Sequence, residues 1–163
     1  MELSLHLKDE PATLAAGRQL AQVLVPGLYL ALRGELGAGK TTLVRGILGG
    51  LGYPGTVRSP TYTLLEPYSF SRIDFYHFDL FRFRDEIEWH DSGFRDCFNA
   101  ASVCVVEWPE RAASLLPPPD LDLELLVSQR GRDLRIVALS DAGRRCLEAL
   151  QFDDSPPAQA PPR

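Results

Sequence analysis

Lysine is nearly missing from this chain: Lys8 and Lys40 are the only two among 17 basic residues, and arginine supplies the rest. Asparagine occurs once, at Asn99, and cysteine three times, at Cys97, Cys104 and Cys146. An odd cysteine count without a C-x-x-C pair argues against a disulfide frame or a zinc site and points to reduced thiols. No apolar run approaches the length of a membrane span, and the opening Met1-Glu2-Leu3-Ser4 lacks the charged-then-apolar pattern of a secretory signal. A soluble, cytoplasmic chain without membrane contact is therefore expected. The net charge of -5 does not favour broad, non-specific binding to nucleic acid, although it leaves room for a local basic face. No internal repeat is present. A length of 163 residues suits one domain that buries its own core.

What the chain does have is a phosphate-binding pattern. Gly34-Glu35-Leu36-Gly37-Ala38-Gly39-Lys40-Thr41 fits G-x-x-x-x-G-K-[ST], between the apolar run Leu28–Leu32 and a helical pattern through Thr42, Leu43, Val44, Ile47 and Leu48. In that geometry glycines allow backbone N–H groups to turn toward phosphate oxygens, and the helix start adds partial positive charge. Gly37, Ala38, Gly39, Lys40, Thr41 and Thr42 are the expected cradle, with Lys40 reaching the β- and γ-phosphates and the Thr41 hydroxyl on Mg²⁺. A compact ammonium suits such a cradle better than a guanidinium fork. A lysine at this one position of an arginine-biased chain strengthens the reading. Guanine-specific P-loop proteins usually carry an N-K-x-D motif, and the lone Asn99 precedes alanine. Adenine, and so ATP, is the better match.

The remaining pattern predicts an α/β, P-loop NTPase-like three-layer fold. Its mixed central sheet is parallel around the P-loop strand and antiparallel in its hairpins, with helices on the faces. Leu3–Leu7 reads as an edge strand and 11–24 as a helix with Pro11 in its first turn. Thr63–Tyr68 and Ile73–Phe78 read as a hairpin, 83–98 as partly helical with a weak point at Gly93, and Val103–Val106 as a strand buried on both faces. Leu121–Val127 and Leu134–Leu139 flank a turn at Gln129-Arg130-Gly131-Arg132, and Ser140 or Asp141 caps a last helix. Residues 1–150 form the expected domain, and 151–163 a Pro-rich disordered tail.

A triphosphate site also needs acids at the strand ends facing the loop. Glu107 closes the buried strand Val103–Val106 as a Walker-B acid does; its bland alternative is a solvated strand-end glutamate. Asp79 closes Phe75-Tyr76-His77-Phe78; its bland alternative is a cap or turn residue. Hydroxyls of Ser59–Thr63 suit a γ-phosphate sensor or an ordinary turn. His77 and His90 have no matching ligand cluster.

Four ordered motifs then carry a resemblance. Residues 34–42, Ser59-Pro60-Thr61-Tyr62-Thr63-Leu64, His77-Phe78-Asp79-Leu80-Phe81-Arg82 and Val106-Glu107-Trp108-Pro109-Glu110 closely resemble the TsaE (YjeE) family, the small ATPase of bacterial threonylcarbamoyladenosine synthesis on tRNA. The resemblance covers about residues 9 to 150. It implies Mg²⁺ on Thr41 and Glu107, a role in hydrolysis for Asp79, and a catalytic set of Lys40, Asp79 and Glu107. It also implies adenine contact near Asp9–Thr13 with Glu10 foremost, nucleotide contact by Arg132, and Trp108 beside the site or simply packed under a Pro turn. The implied partners are TsaD, which transfers the carbamoyl group to tRNA adenosine at position 37, and TsaB, with hydrolysis resetting their complex.

The chain departs from the family pattern at Phe81, where a tyrosine is usual, and at 84–89, which follows the family only loosely. Contact with tRNA is expected to be indirect: Arg72, Arg82 and Arg84 could form a basic strip, but scattered arginines are more often solvated surface or partner contacts. A monomer is expected for the isolated chain. Two other functions fit the same P-loop: a small-molecule kinase with an arginine-bearing lid, and a nucleotide-gated assembly module with negligible hydrolysis.

Overall fold

Two strands are apolar at nearly every position because helices cover one side of them and short turns of helix the other: β2 (Tyr29–Arg33) and β5 (Ser102–Glu107), the latter buried at all six positions. They pair in parallel at the centre of a seven-stranded sheet. The computed structural model describes residues 1–151; nearly all of the stretch expected to be a disordered tail lies outside the described residues. The other strands are β1 (Glu2–Leu7), β3 (Leu65–Ser69), β4 (Asp74–Asp79), β6 (Leu121–Ser128) and β7 (Gly131–Ala138), in the order β1-β7-β6-β2-β5-β4-β3. Strands β4, β5, β2 and β6 run parallel, while β3 and the β6–β7–β1 side are antiparallel. This is the mixed sheet that the sequence predicts.

Side-chain alternation splits the sheet into two faces. Leu30, Leu32, Val103, Val105, Leu121 and Leu123 meet helices α1 (Glu10–Val23), α2 (Lys40–Gly50) and α4 (Asp141–Ala149). Tyr29, Ala31, Phe78, Cys104 and Val106 face the short α3 (Glu86–Asp91) and 3₁₀ turns at Phe94–Cys97 and Pro109–Ala112. Phe78, Trp89, Phe94 and Phe98 pack ring against ring there. The helical pattern of 83–98 is broken because Gly93 takes a left-handed conformation between α3 and the 3₁₀ turn. The β6–β7 turn is also tighter than expected: Gly131 and Arg132 already belong to β7, paired with Ser128 and Val127.

Helices α1 and α2 approach closely enough to exclude side chains. A Cβ on Gly17 would lie 2.4 Å from the Leu43 carbonyl oxygen, and one on Gly46 would lie 2.4 Å from that of Leu14. The contact sets the start of α1 beside the loop that opens α2: a Cβ on Gly39 would lie 4.0 Å from Thr13 Cγ2. No helix of the described residues is long and apolar enough to cross a membrane.

Gly46→Ala is expected to cost about 1–3 kcal/mol by overpacking this contact. Gly49→Ala, whose Cβ meets nothing within 4 Å, is expected to be neutral or stabilising by up to about 1 kcal/mol. Urea unfolding of the two variants checks the contrast.

Candidate functional site

The loop from Gly34 to Gly39 turns sharply after β2, with Gly37 (φ 80°) and Gly39 (φ 105°) in the left-handed region. Helix α2 then begins at Lys40 with Gly39 as its N-cap, no side-chain cap and no acid in its first turn. The other three α-helices are capped by their own side chains, through Asp9, Asp85 and Ser140. The first amides of α2 therefore keep their donors for another acceptor. Lys40 is buried; its Nζ donates to the carbonyl oxygens of Gly34 and, at 2.9 Å, of Glu35. The same Nζ lies 4.2 Å from the centre of the Trp108 ring, within cation–π range. Burial pulls the Lys40 pKa below its usual value, and the Glu107, Asp79 and Glu110 carboxylates pull it partly back.

Across the lobe stand the two acids. Asp79 and Glu107 are partners in the β4–β5 register and both are buried. Thr41 Oγ1 donates to Glu107 Oε1 at 3.2 Å. Ser59 Oγ hydrogen-bonds to Asp79 Oδ2 and reaches Glu107 Oε2 at 3.4 Å, Thr61 Oγ1 reaches Asp79 Oδ2 at 3.3 Å, and the Phe81 amide donates to Asp79 Oδ1 at 3.0 Å. Neither acid is thus a solvated strand end; Asp79 caps no helix, but through the Phe81 amide it also closes the turn after β4. Two non-glycine residues with positive φ flank this cluster, Leu64 (65°) and Trp108 (58°). Such backbone costs on the order of 1–3 kcal/mol and tends to gather at functional sites.

These groups line a lobe of about 290 Å³ that runs from Leu36 and Gly37 to Asp79, Glu107 and Trp108. A second lobe of about 330 Å³ shares Gly37, Gly39 and Thr42 with it and is lined by Lys8, Glu10, Thr13 and Arg132. The chain's two lysines therefore stand in the two lobes. Larger clefts, of about 570 and 410 Å³, meet at Phe98, Asn99 and Pro117 near the starts of β2 and β5. Each is lined by a single carboxylate, Asp96 in the first and Asp120 in the second, and neither by a lysine.

Glu10 also lies 3.8 Å from Arg45. Arg132 Nε donates to the Ala38 carbonyl at 2.9 Å, and Nη2 to that of Gly37 at 3.2 Å. Besides lining the second lobe, Arg132 thus braces the loop, a task that its place in the sequence did not announce. The Ser59 latch on both acids was visible in sequence only as a hydroxyl-rich loop. Cys104 is core, its thiol pushed up to about 12 by burial, and Cys146 likewise to about 11.

The side-chain oxygens gathered around the two acids in the first lobe, those of Thr41, Ser59, Thr61, Asp79 and Glu107, are hard donors. They fit Mg²⁺, which takes one or two carboxylates and completes its shell with phosphate oxygens and water. Among the described residues no group of three or more His, Cys, Asp or Glu could hold a metal unaided.

Comparison with known proteins follows this geometry. A family model described as "Threonylcarbamoyl adenosine biosynthesis protein TsaE" matches residues 7–135. The chain belongs to the TsaE family. A Haemophilus influenzae relative named tRNA threonylcarbamoyladenosine biosynthesis protein TsaE is 38% identical over 153 residues, covering 91% of this chain and 97% of the relative. A Bacillus subtilis relative of the same name is 36% identical over 146 residues, 87% of this chain and 90% of its own. The crystal structure of Bacillus subtilis YdiB superposes with a TM-score of 0.76 at 27% identity, covering 92% of this chain and 94% of that one. The α/β arrangement is thus shared along nearly the whole TsaE-family chain.

Removing the Ser59 hydroxyl leaves a buried carboxylate short of its nearest donor. Ser59→Ala is expected to destabilise the ligand-free protein by about 1–3 kcal/mol, against about 0.5 kcal/mol or less for Ser71→Ala at an exposed position. Thermal unfolding of both variants measures the difference.

Proposed function

We propose that this chain is the ATP-binding and ATP-hydrolysing component of the machinery that forms N6-threonylcarbamoyladenosine on tRNA. The observation that carries the reading is the joint opening of the uncapped α2 amides and the Lys40 ammonium onto the lobe that holds Asp79 and Glu107. A polyanion satisfies the first pair, and a divalent cation reconciles it with the second. The names of the relatives supply the pathway.

In this reading the loop amides of Gly37–Thr42 and Lys40 Nζ bind the β- and γ-phosphates, with Lys40 exchanging its loop carbonyls for phosphate oxygens. Thr41 and Glu107 would hold Mg²⁺, which would supply positive charge to offset that of the polyphosphate. Asp79, fixed by Ser59 and the Phe81 amide, orients the attacking water; ADP and inorganic phosphate leave. Glu10 and Arg132 line the lobe on the nucleoside side. TsaB and TsaD are the partners, tRNA contact is indirect, and hydrolysis resets the complex between turnovers. The protein acts in the cytoplasm and is a monomer on its own. A kinase would require an acceptor, so phosphate release from ATP and water alone counts against that alternative. Repeated tRNA modification supported by a non-hydrolysable ATP analogue would instead favour a gated assembly module.

Lys40→Ala is expected to weaken ATP binding by about thirtyfold or more, the loss of a charge-assisted contact of about 2 kcal/mol. Asp79→Ala keeps binding and loses turnover by about a hundredfold or more. Calorimetric titration beside phosphate release, with the chain alone and then with TsaB and TsaD, separates the two; normal turnover in either variant refutes the assigned roles.

The lowered Lys40 pKa has a pH signature. The ammonium binds phosphate and the neutral amine does not, so ATP affinity falls as pH rises through a value below the usual 10.5. Bound phosphate favours the charged form, and binding in that alkaline range takes up protons. Titrations in buffers of different ionisation enthalpy detect the uptake; affinity and proton count that stay flat up to pH 10.5 would exclude it.

A further inference from the structure

One polar side chain sits where its surroundings are apolar. On the sheet face turned toward α1 and α2, Asp79, Glu107 and Leu32 lie level at the strand ends. The next layer down holds His77, Val105 and Leu30, and the one below it Phe75 and Val103. Every member of the two lower layers except His77 is a buried hydrocarbon side chain. His77 is fully buried, and neither ring nitrogen has a hydrogen-bond partner among the described residues. Its Nε2 lies 3.7 Å from Glu107 Oε1, beyond hydrogen-bond length. A leucine would fill such a place without leaving buried polar atoms unpaired, so packing does not account for the imidazole.

The donors that hold Glu107 are both long: Thr41 Oγ1 at 3.2 Å and Ser59 Oγ at 3.4 Å. One comes from the first turn of α2 and the other from the loop before β3. Both also face the lobe where phosphate and cation are read to bind, and engagement there redirects them. His77 is the donor that the sheet itself offers, fixed in β4 one layer below the carboxylate. A neutral imidazole carries one N–H, so the donation needs no change of protonation. Carboxylates on metals are commonly held by such outer partners.

We propose that His77 is a positioning residue, donating its Nε2–H to Glu107 Oε1 when the carboxylate engages the Mg²⁺ of a bound nucleotide. The proposal rests on the Mg²⁺·ATP reading above. Its test is the ratio of ATP affinities with Mg²⁺ and with EDTA, measured by calorimetry. His77→Leu is expected to lower that ratio by about tenfold or more while affinity in EDTA stays within about twofold. His77→Gln, whose amide nitrogen reaches the place of Nε2, keeps the ratio; the shorter His77→Asn does not. In a Glu107→Gln background, His77→Leu has no further effect.

If thermal unfolding shows that the leucine variant does not fold, the Gln and Asn pair decides in its place. An unchanged ratio in the Leu or Asn variant overturns the proposal, as does an equal loss with and without Mg²⁺, which marks a merely structural role. A wild-type protein whose ATP binding ignores Mg²⁺ refutes the metal reading itself, and the proposal with it. A wild-type ratio well above one, unmoved in the variants, refutes His77 alone.

Discussion

Three parallel strands in one register are the constraint on which the rest of the molecule depends. Leu32 pairs with Glu107, and Glu107 with Asp79, so β2, β5 and β4 end on the same level. Because side chains alternate with a period of two, a slip of one residue in β5 would send Glu107 to the opposite face, toward Phe78 and Trp89. The apolar neighbours on both faces of β5 make such a slip costly. The positions of the acids are thereby set by the packing of residues that take no part in the chemistry. The tight crossing of α1 on α2 acts the same way from above, fixing Thr13 and Glu10 next to the loop.

The charged groups of the site have partners within the protein. Lys40 leans on two loop carbonyls, Ser59 spans both acids, and Thr41 holds Glu107. Each of these bonds occupies an atom that phosphate or cation would otherwise engage. Ligand binding at this site is therefore an exchange of partners, and it begins from a protein whose buried charges already have them. That arrangement keeps an otherwise strained cluster, with Leu64 and Trp108 in left-handed backbone, compatible with a stable fold.

Much of this was legible in the sequence, for physical reasons. Glycines at fixed spacing between an apolar strand and a helix identify the loop because few other backbones make that turn. Val103-Cys104-Val105-Val106 marks the central strand because burial on both faces removes alternation. The motifs 59–64, 77–82 and 106–110, read together, led to the family that the comparisons identify. What stayed hidden involves long-range contact. Nothing local to Arg132 says that it belongs to a strand rather than a turn, or that it reaches Gly37 and Ala38. Helical spacing across 83–98 concealed the left-handed break at Gly93. The environment of His77 emerges only when three strands are laid side by side.

The brace from Arg132 bears on how the chain acquires its form. The phosphate-binding segment is contiguous in sequence, and its short length suggests a motif able to take shape by itself. Yet two of its carbonyls are held by a guanidinium 94 and 95 residues further along, on a strand that is itself held between β6 and β1. Loop closure over such a separation is entropically slow. The cradle as observed therefore depends on a strand far along the chain: without β7 in place, the glycines of the motif lack the guanidinium that holds two of their segment's carbonyls.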